Sequence, residues 1–243
     1  MNRPEAAGFR FVHTGDIMNQ VTFSLLEAYM CCCMEDSAHD REHIYRVLNN
    51  ALVIAKDIPG VDYDVLIAAC LLHDIARPEQ IADPRLCHAE AGSKKAFDFL
   101  MESGFNQAFA KQVCDCIRTH RFRKCDQPES LEAKILFDAD KLDVVGAIGI
   151  ARTLVYKGTV SDPLYTRNPD GSISDGTEGE TSSFFREYKF KLEKLYDKFY
   201  TAKGAAIAQE RKDAAQHFYD SLFFEVSAFE KVGNVLLNEH LHE

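Results

Sequence analysis

Apolar positions along this chain recur mostly at the 3.6-residue spacing of helices, and no convincing stretch alternates as a half-buried strand would. Ile17 to Met34 is apolar enough for a first helix. A second, from about Asp40 to Asp57, places Ile44, Val47, Leu48, Ala51, Leu52 and Ala55 on one face and ends at Pro59-Gly60. Ser37 followed by Asp40 resembles a capping box at its start. Asp62 or Asp64 caps a third helix, in which Val65 to Leu72 is apolar all round, as in a helix buried on every side. That run leads into His73-Asp74 and stops before Pro78. A helix from about His88 to Ser103 closes on Gly104. Asn106 to His120 follows, with Phe109, Val113, Cys116, Ile117 and His120 sharing a face. One long helix is predicted from about Leu131 to Tyr156.

The pattern then breaks. Lys157 to Ser183 is rich in Gly, Pro, Asp, Ser and Thr and has almost no apolar periodicity, which reads as a lid, a binding loop or a disordered insertion. Two helices end the chain. Phe185, Tyr188, Leu192, Leu195 and Phe199 form the stripe of one, and Ile207, Arg211, Ala215, Phe218, Leu222 and Phe229 that of the other. The pattern predicts an all-α fold: a single helical domain over 1–243, with a core over 25–156, a polar segment over 157–183 and C-terminal helices over 184–243. The last two stripes can pack on the core or on a second copy of the chain, as a homodimer.

Composition narrows the function classes. A chain of 243 residues that is 46% hydrophobic can bury a substantial core. The net charge of −10 has the wrong sign for a protein that grips extended nucleic acid by its phosphates. Local cations can still hold one small phosphorylated ligand. The eight cysteines are irregularly spaced, and Cys114-x-Cys116 is too short for the usual zinc-knuckle spacing. They read as reduced, small apolar residues. No signal peptide is recognisable near Met1, and no run approaches the roughly 18 apolar residues of a membrane span. The expectation is a cytoplasmic protein without membrane partners.

Against this background five residues stand out: His43, the pair His73-Asp74, Asp140 and Lys141. Each lies in a strongly apolar stretch, where a charge or imidazole is costly unless paired or metal-bound. Three helices presenting two imidazoles and two carboxylates to one centre would satisfy them together. Such a nitrogen and oxygen set suits Mn²⁺, Fe²⁺, Co²⁺, Mg²⁺ or Zn²⁺. Four protein ligands on an ion that prefers six leave room for water and substrate.

These stretches resemble the HD-domain metal-dependent phosphohydrolase superfamily. The matching segments are His39-Asp-Arg-Glu-His43-Ile-Tyr-Arg46-Val47, Ala68-Ala-Cys-Leu-Leu-His73-Asp74-Ile-Ala and Asp138-Ala-Asp140-Lys141-Leu-Asp143. Gly146-Ala-Ile-Gly149-Ile-Ala-Arg152 and the stretch from Thr201 to Arg211 look like a bacterial "HD superfamily hydrolase" subgroup. The resemblance covers roughly Tyr29 to Glu225. It implies an HD-domain helical bundle with a C-terminal helical pair, with His43, His73, Asp74 and Asp140 as metal ligands. It also implies hydrolysis of a phosphate ester or anhydride, commonly in a nucleotide. Asp74 and Lys141 are then the catalytic candidates, Lys141 by neutralising phosphoryl charge.

Related two-metal enzymes use extra histidines in the interval that here holds His88 and His120. Those two are candidates for a second metal, for phosphate binding or for protonating the leaving group. His39, one turn before His43, is a candidate for substrate binding or for supporting a ligand. Some nucleotidase branches carry a Glu three residues after the HD aspartate; here the position is Arg77, which suits phosphate binding better than proton abstraction. Arg121, with Arg123 and Lys124, adds a small basic patch. Arg46 and Arg152 read as structural or ion-paired, and Asp143 as a support for Lys141 or a ligand histidine. Two other readings remain: a non-catalytic, metal-stabilised nucleotide sensor, and a helical interaction protein using its C-terminal aromatic stripes.

Overall fold

The computed structural model describes residues 18–34, 38–121, 126–179 and 181–241, with the side chains of all but 38–40. Ser37, the side chains of His39 and Asp40, and Arg123 and Lys124 lie outside the described residues, and with them the predicted capping pair. The fold is all-α. Among the described residues there is no strand, only an isolated antiparallel bridge between Arg167 and Ile173. The chain divides into two compact units, one ending at Asp140 and the other beginning at Lys141, where the sequence had put the edge of the core at 156.

In the first unit, α1 (Gln20–Cys33) starts at Asn19, whose side chain accepts from the amides of Val21 and Thr22. Next come α2 (Ala38–Ala55) and α3 (Tyr63–Leu72). Asp62 caps α3 by accepting from the amides of Asp64 and Val65, which satisfies donors the helix cannot. Val65, Leu66 and every residue from Ala68 to Leu72 are buried, as the all-round apolar pattern requires. This helix is therefore the centre of the unit: α1, α2 and α6 all pack on it.

A short helix not anticipated from sequence, α4 (Arg77–Ala82), follows the His73–Ala76 turn. Pro78 was expected to close the preceding element; instead it sits in the first turn of α4, where its missing N–H costs nothing and its fixed φ favours helix. α5 (His88–Glu102) and α6 (Gln107–Thr119) form an antiparallel pair joined through Gly104, at φ +85°. α7 (Leu131–Leu142) completes the unit. Asn50 of α2 donates to the carbonyl of Ala139, and the Glu132 side chain accepts from the amide of Asp62.

The predicted long helix from Leu131 to Tyr156 is two helices. α7 ends at Leu142 and α8 (Gly146–Thr159) begins after a break. Gly146 takes φ +68°, and a Cβ there would stand 2.7 Å from Cβ of Arg211. Arg211 also donates to the carbonyl of Leu142, ending α7, while Asp143 in the break takes Nη1 of Arg152 at 2.6 Å. Arg152 is ion-paired, as its sequence context suggested.

The second unit continues with α9 (Phe184–Phe190), a 3₁₀ turn (Leu192–Lys194), α10 (Ala202–Ser227) and α11 (Glu230–His240). The buried face of α10 is Gly204, Ala208, Ala215 and Tyr219. It is turned from the predicted stripe, and Phe218 and Phe229 are exposed. Small residues let α10 lie close on α8, whereas a bulky stripe could not.

The polar segment is tied down. Lys157 and Ser182 both bond to the Asp162 carboxylate, and Ser174 donates to the carbonyl of Thr166. Tyr219 donates to the carbonyl of Asp175. Gly176, at φ +86°, passes so close to Phe185 that a Cβ would stand 2.4 Å from its backbone. Among the described residues no helix is long and apolar enough to cross a membrane.

The break at Gly146 is testable. Gly146→Ala must adopt a left-handed φ and meet Arg211 Cβ, so urea denaturation is expected to show a loss of about 1–3 kcal/mol.

Candidate metal centre

Five helices or helix ends of the first unit converge on one cluster. His43 comes from α2, His73 and Asp74 from the end of α3, His88 from the start of α5, His120 from the end of α6 and Asp140 from α7. All but Asp140 are buried. Their ligand atoms form two groups that could each hold a cation: His43, His73 and Asp140, and Asp74, His88 and His120.

In the first group, Nε2 of His43 lies 3.4 Å from Nε2 of His73 and 3.2 Å from Oδ1 of Asp140. In the second, Nε2 of His88 lies 3.3 Å from Nε2 of His120 and 3.1 Å from Oδ1 of Asp74. Ligand distances of about 2.1 Å place neighbouring ligand atoms roughly 3.0–3.4 Å apart around an ion. These spacings match the edges of a coordination shell.

Asp74 joins the groups. Its Oδ2 faces His43 at 3.7 Å and His73 at 4.0 Å, and its Oδ1 faces His88 at 3.1 Å and His120 at 3.7 Å. Oδ1 is buried and accepts no hydrogen bond. An orphaned carboxylate oxygen at this depth is costly unless a cation satisfies it.

The imidazoles point the same way. Nδ1 of His73 lies 2.8 Å from the carbonyl of Cys70, and Nδ1 of His120 2.6 Å from that of Ile117. A carbonyl only accepts, so both Nδ1 atoms carry the proton and both Nε2 atoms present lone pairs to the centre. Imidazole lone pairs that face carboxylates repel them unless a cation lies between. The donor set fits a divalent cation.

Electrostatics keep the ligands in their binding forms. Burial pushes His73 down to about 4 despite the neighbouring Asp74, and lowers His88 as well. Burial would raise Asp74, but the imidazoles of His73, His120 and His88 and the Arg77 guanidinium outweigh it and hold the carboxyl well below its usual range. Asp140 is lowered likewise, with His43 the largest opposing influence to burial.

Other candidates separate from the cluster or border it. Arg77 lies beside it, with Nη1 3.2 Å from Nδ1 of His88. Lys141 does not turn to the ligands: its Nζ donates to the carbonyl of Lys198 at 2.9 Å and stands over the Phe199 ring. Neighbours on a helix diverge by about 100°, so a residue adjacent to Asp140 need not share its target. Arg121 is half-buried just past α6. Glu79 is held by Lys95 at 2.7 Å. Gln80, which the sequence reading passed over, contacts both Arg77 and His88. Its signal was its place one helical turn after Arg77, legible only once α4 is known to exist.

Comparison with known proteins agrees with this geometry. Residues 41–145 match the HD domain family. YpgQ of Bacillus subtilis is 29% identical over 192 residues, covering 77% of this chain and 84% of its own. The crystal structure of an HD-superfamily hydrolase from Bacillus thuringiensis is 29% identical with a TM-score of 0.64, covering 85% of this chain and 97% of that one. A crystal structure of YpgQ in complex with ADP is 25% identical with a TM-score of 0.63, covering 83% and 97%. The likeness to the HD domain spans residues 41–145, and the solved structures that the chain resembles include an HD-superfamily hydrolase.

The burial of His73 has a pH consequence. Its folded value of about 4 lies below the ordinary 6.5, so between those values the unfolded chain binds the extra proton. Metal-free protein should therefore lose stability as pH falls from about 6.5 to about 4, by on the order of 3 kcal/mol. Above pH 7 this contribution should be flat. Urea midpoints across pH 4–8 test it, and a midpoint independent of pH over that window would refute it.

Proposed function

We propose that this protein is a metal-dependent phosphohydrolase acting on a small phosphorylated substrate, and that the substrate is a nucleotide. One observation carries the reading: a single buried carboxylate, Asp74, turns each oxygen toward a different imidazole pair. The first ion is assigned to His43, His73, Asp74 and Asp140, and a second to Asp74, His88 and His120. Divalent ions held there would polarise a phosphoryl oxygen and lower the pKa of water.

The chain's own side chains do the rest. His73 and His120, anchored through Nδ1 to helix carbonyls, hold fixed directions and need no reorganisation on binding. Arg77, beside His88, is the cation placed to meet phosphoryl charge, and its planar fork suits two oxygens. In this reading Lys141 serves packing within the second unit rather than catalysis.

The ADP complex of YpgQ supports a nucleotide, and a ligand with two phosphates favours cleavage between phosphates over removal of a single ester phosphate. Nucleoside triphosphate pyrophosphohydrolase is the preferred form of the reading and nucleoside monophosphate phosphatase its rival.

A panel of nucleoside mono-, di- and triphosphates with Mn²⁺, scored separately for phosphate and pyrophosphate release, tests the assignment. Pyrophosphate from a triphosphate is the expected product. Nucleotide binding with no turnover would mark a sensor, and no response at all would end the nucleotide reading. Asp140→Ala should lower turnover by at least about a hundredfold. Chelation of the wild type should lower its Tm, because an ion at a hundred times its Kd stabilises the fold by about 2.7 kcal/mol.

A further inference from the structure

We infer that Gln80 is a positioning residue that sets which nitrogen of His88 carries the proton, and so whether His88 can ligate an ion. The inference rests on the two-ion reading for its consequence, but the proton assignment follows from hydrogen-bond partners alone.

The chain of contacts starts at a backbone carbonyl. Nε2 of Gln80 lies 3.1 Å from the carbonyl of Leu86. That oxygen only accepts, so the amide nitrogen must face it, and this fixes the orientation of the Gln80 side chain. The amide oxygen Oε1 then faces Nδ1 of His88 at 2.5 Å. Two acceptors cannot approach so closely, so Nδ1 carries the proton and donates it to Gln80. In the neutral ring, Nε2 is left with its lone pair, 3.1 Å from Oδ1 of Asp74, 3.3 Å from Nε2 of His120 and 3.4 Å from Nη1 of Arg77.

A rival partner stands by. Nη1 of Arg77 lies 3.2 Å from the same Nδ1 and 3.5 Å from Oε1 of Gln80. A guanidinium only donates. Were Nδ1 free to accept, Arg77 would bond to it and the ring proton would move to Nε2. His88 would then donate to Oδ1 of Asp74, satisfying the orphaned oxygen and removing a ligand lone pair. Gln80, the nearer partner by 0.7 Å from those two distances, decides the contest in favour of the ligating tautomer.

Neither His73 nor His120 needs such a residue, since each is fixed by a carbonyl of its own helix end. His88 opens α5 instead of closing a helix, and the acceptor at its Nδ1 is the Gln80 side chain. The short helix α4 supplies the acceptor.

The test uses full-length protein and the variants Gln80→Leu and Gln80→Glu. Two-bond ¹H–¹⁵N correlation spectra report the protonated nitrogen of His88, with His88→Gln identifying its signals. Wild type and Gln80→Glu are expected to show the proton on Nδ1, and Gln80→Leu to show it on Nε2, before any metal is added. Titration with Co²⁺ should then show a 10- to 100-fold weaker second equivalent in Gln80→Leu, with the first unchanged and Gln80→Glu restoring the second. A Gln80→Leu ring still protonated on Nδ1, or a wild-type ring protonated on Nε2, overturns the inference. A wild type that binds one equivalent only overturns the two-ion reading and leaves the proton assignment standing.

Discussion

The first unit is organised around a carboxylate that has no hydrogen-bond donor for one of its oxygens. Asp74 stands at the end of α3, the helix with the most completely buried surface, and its Oδ1 is sealed from water. Such a group is tolerated where a cation can satisfy it. α2, α5, α6 and α7 converge on the end of α3, each bringing an imidazole or a second carboxylate that could ligate one. Apolar burial drives the helices together, and the buried charge dictates which residues may stand where they meet.

Backbone carbonyls complete the arrangement. His73 and His120 both close helices, and each fixes its ring on a carbonyl of its last turn, that of Cys70 or Ile117. Helix ends thus serve as built-in orienting groups. His88 lies at the opposite end of its helix, which is why it depends on a side chain from α4. The same logic separates Asp140 from Lys141: adjacent on α7, they diverge, one into the cluster and the other to the Lys198 carbonyl.

Much of this was legible in the order of residues. The all-round apolar run from Val65 to Leu72 identified the central helix, and the cost of burying His43, His73, Asp74 and Asp140 marked them as a set. The glycine at 146 was visible, but a glycine within an apolar helical pattern does not say that the helix breaks. Only the Arg211 side chain over it does. Pro78 misled for a related reason. Proline forbids a helix before it and favours one after it, and local sequence alone does not choose. In α10 the large residues drew the predicted face, yet close helix packing selected the small ones, Gly204, Ala208 and Ala215.

By itself the sequence determined the all-α class and most of the element positions, and it singled out His43, His73, Asp74 and Asp140 as candidate metal ligands. Periodicity and the cost of buried charge act along the chain and are readable there. Tertiary structure decided that His88 and His120 gather on Asp74 beside the other candidates, that Lys141 bonds to the Lys198 carbonyl, and that Gln80 reaches His88. Each of those depends on ångström-scale distances between segments far apart in the chain, and the direction of a side chain across such a gap is set by packing rather than by sequence spacing.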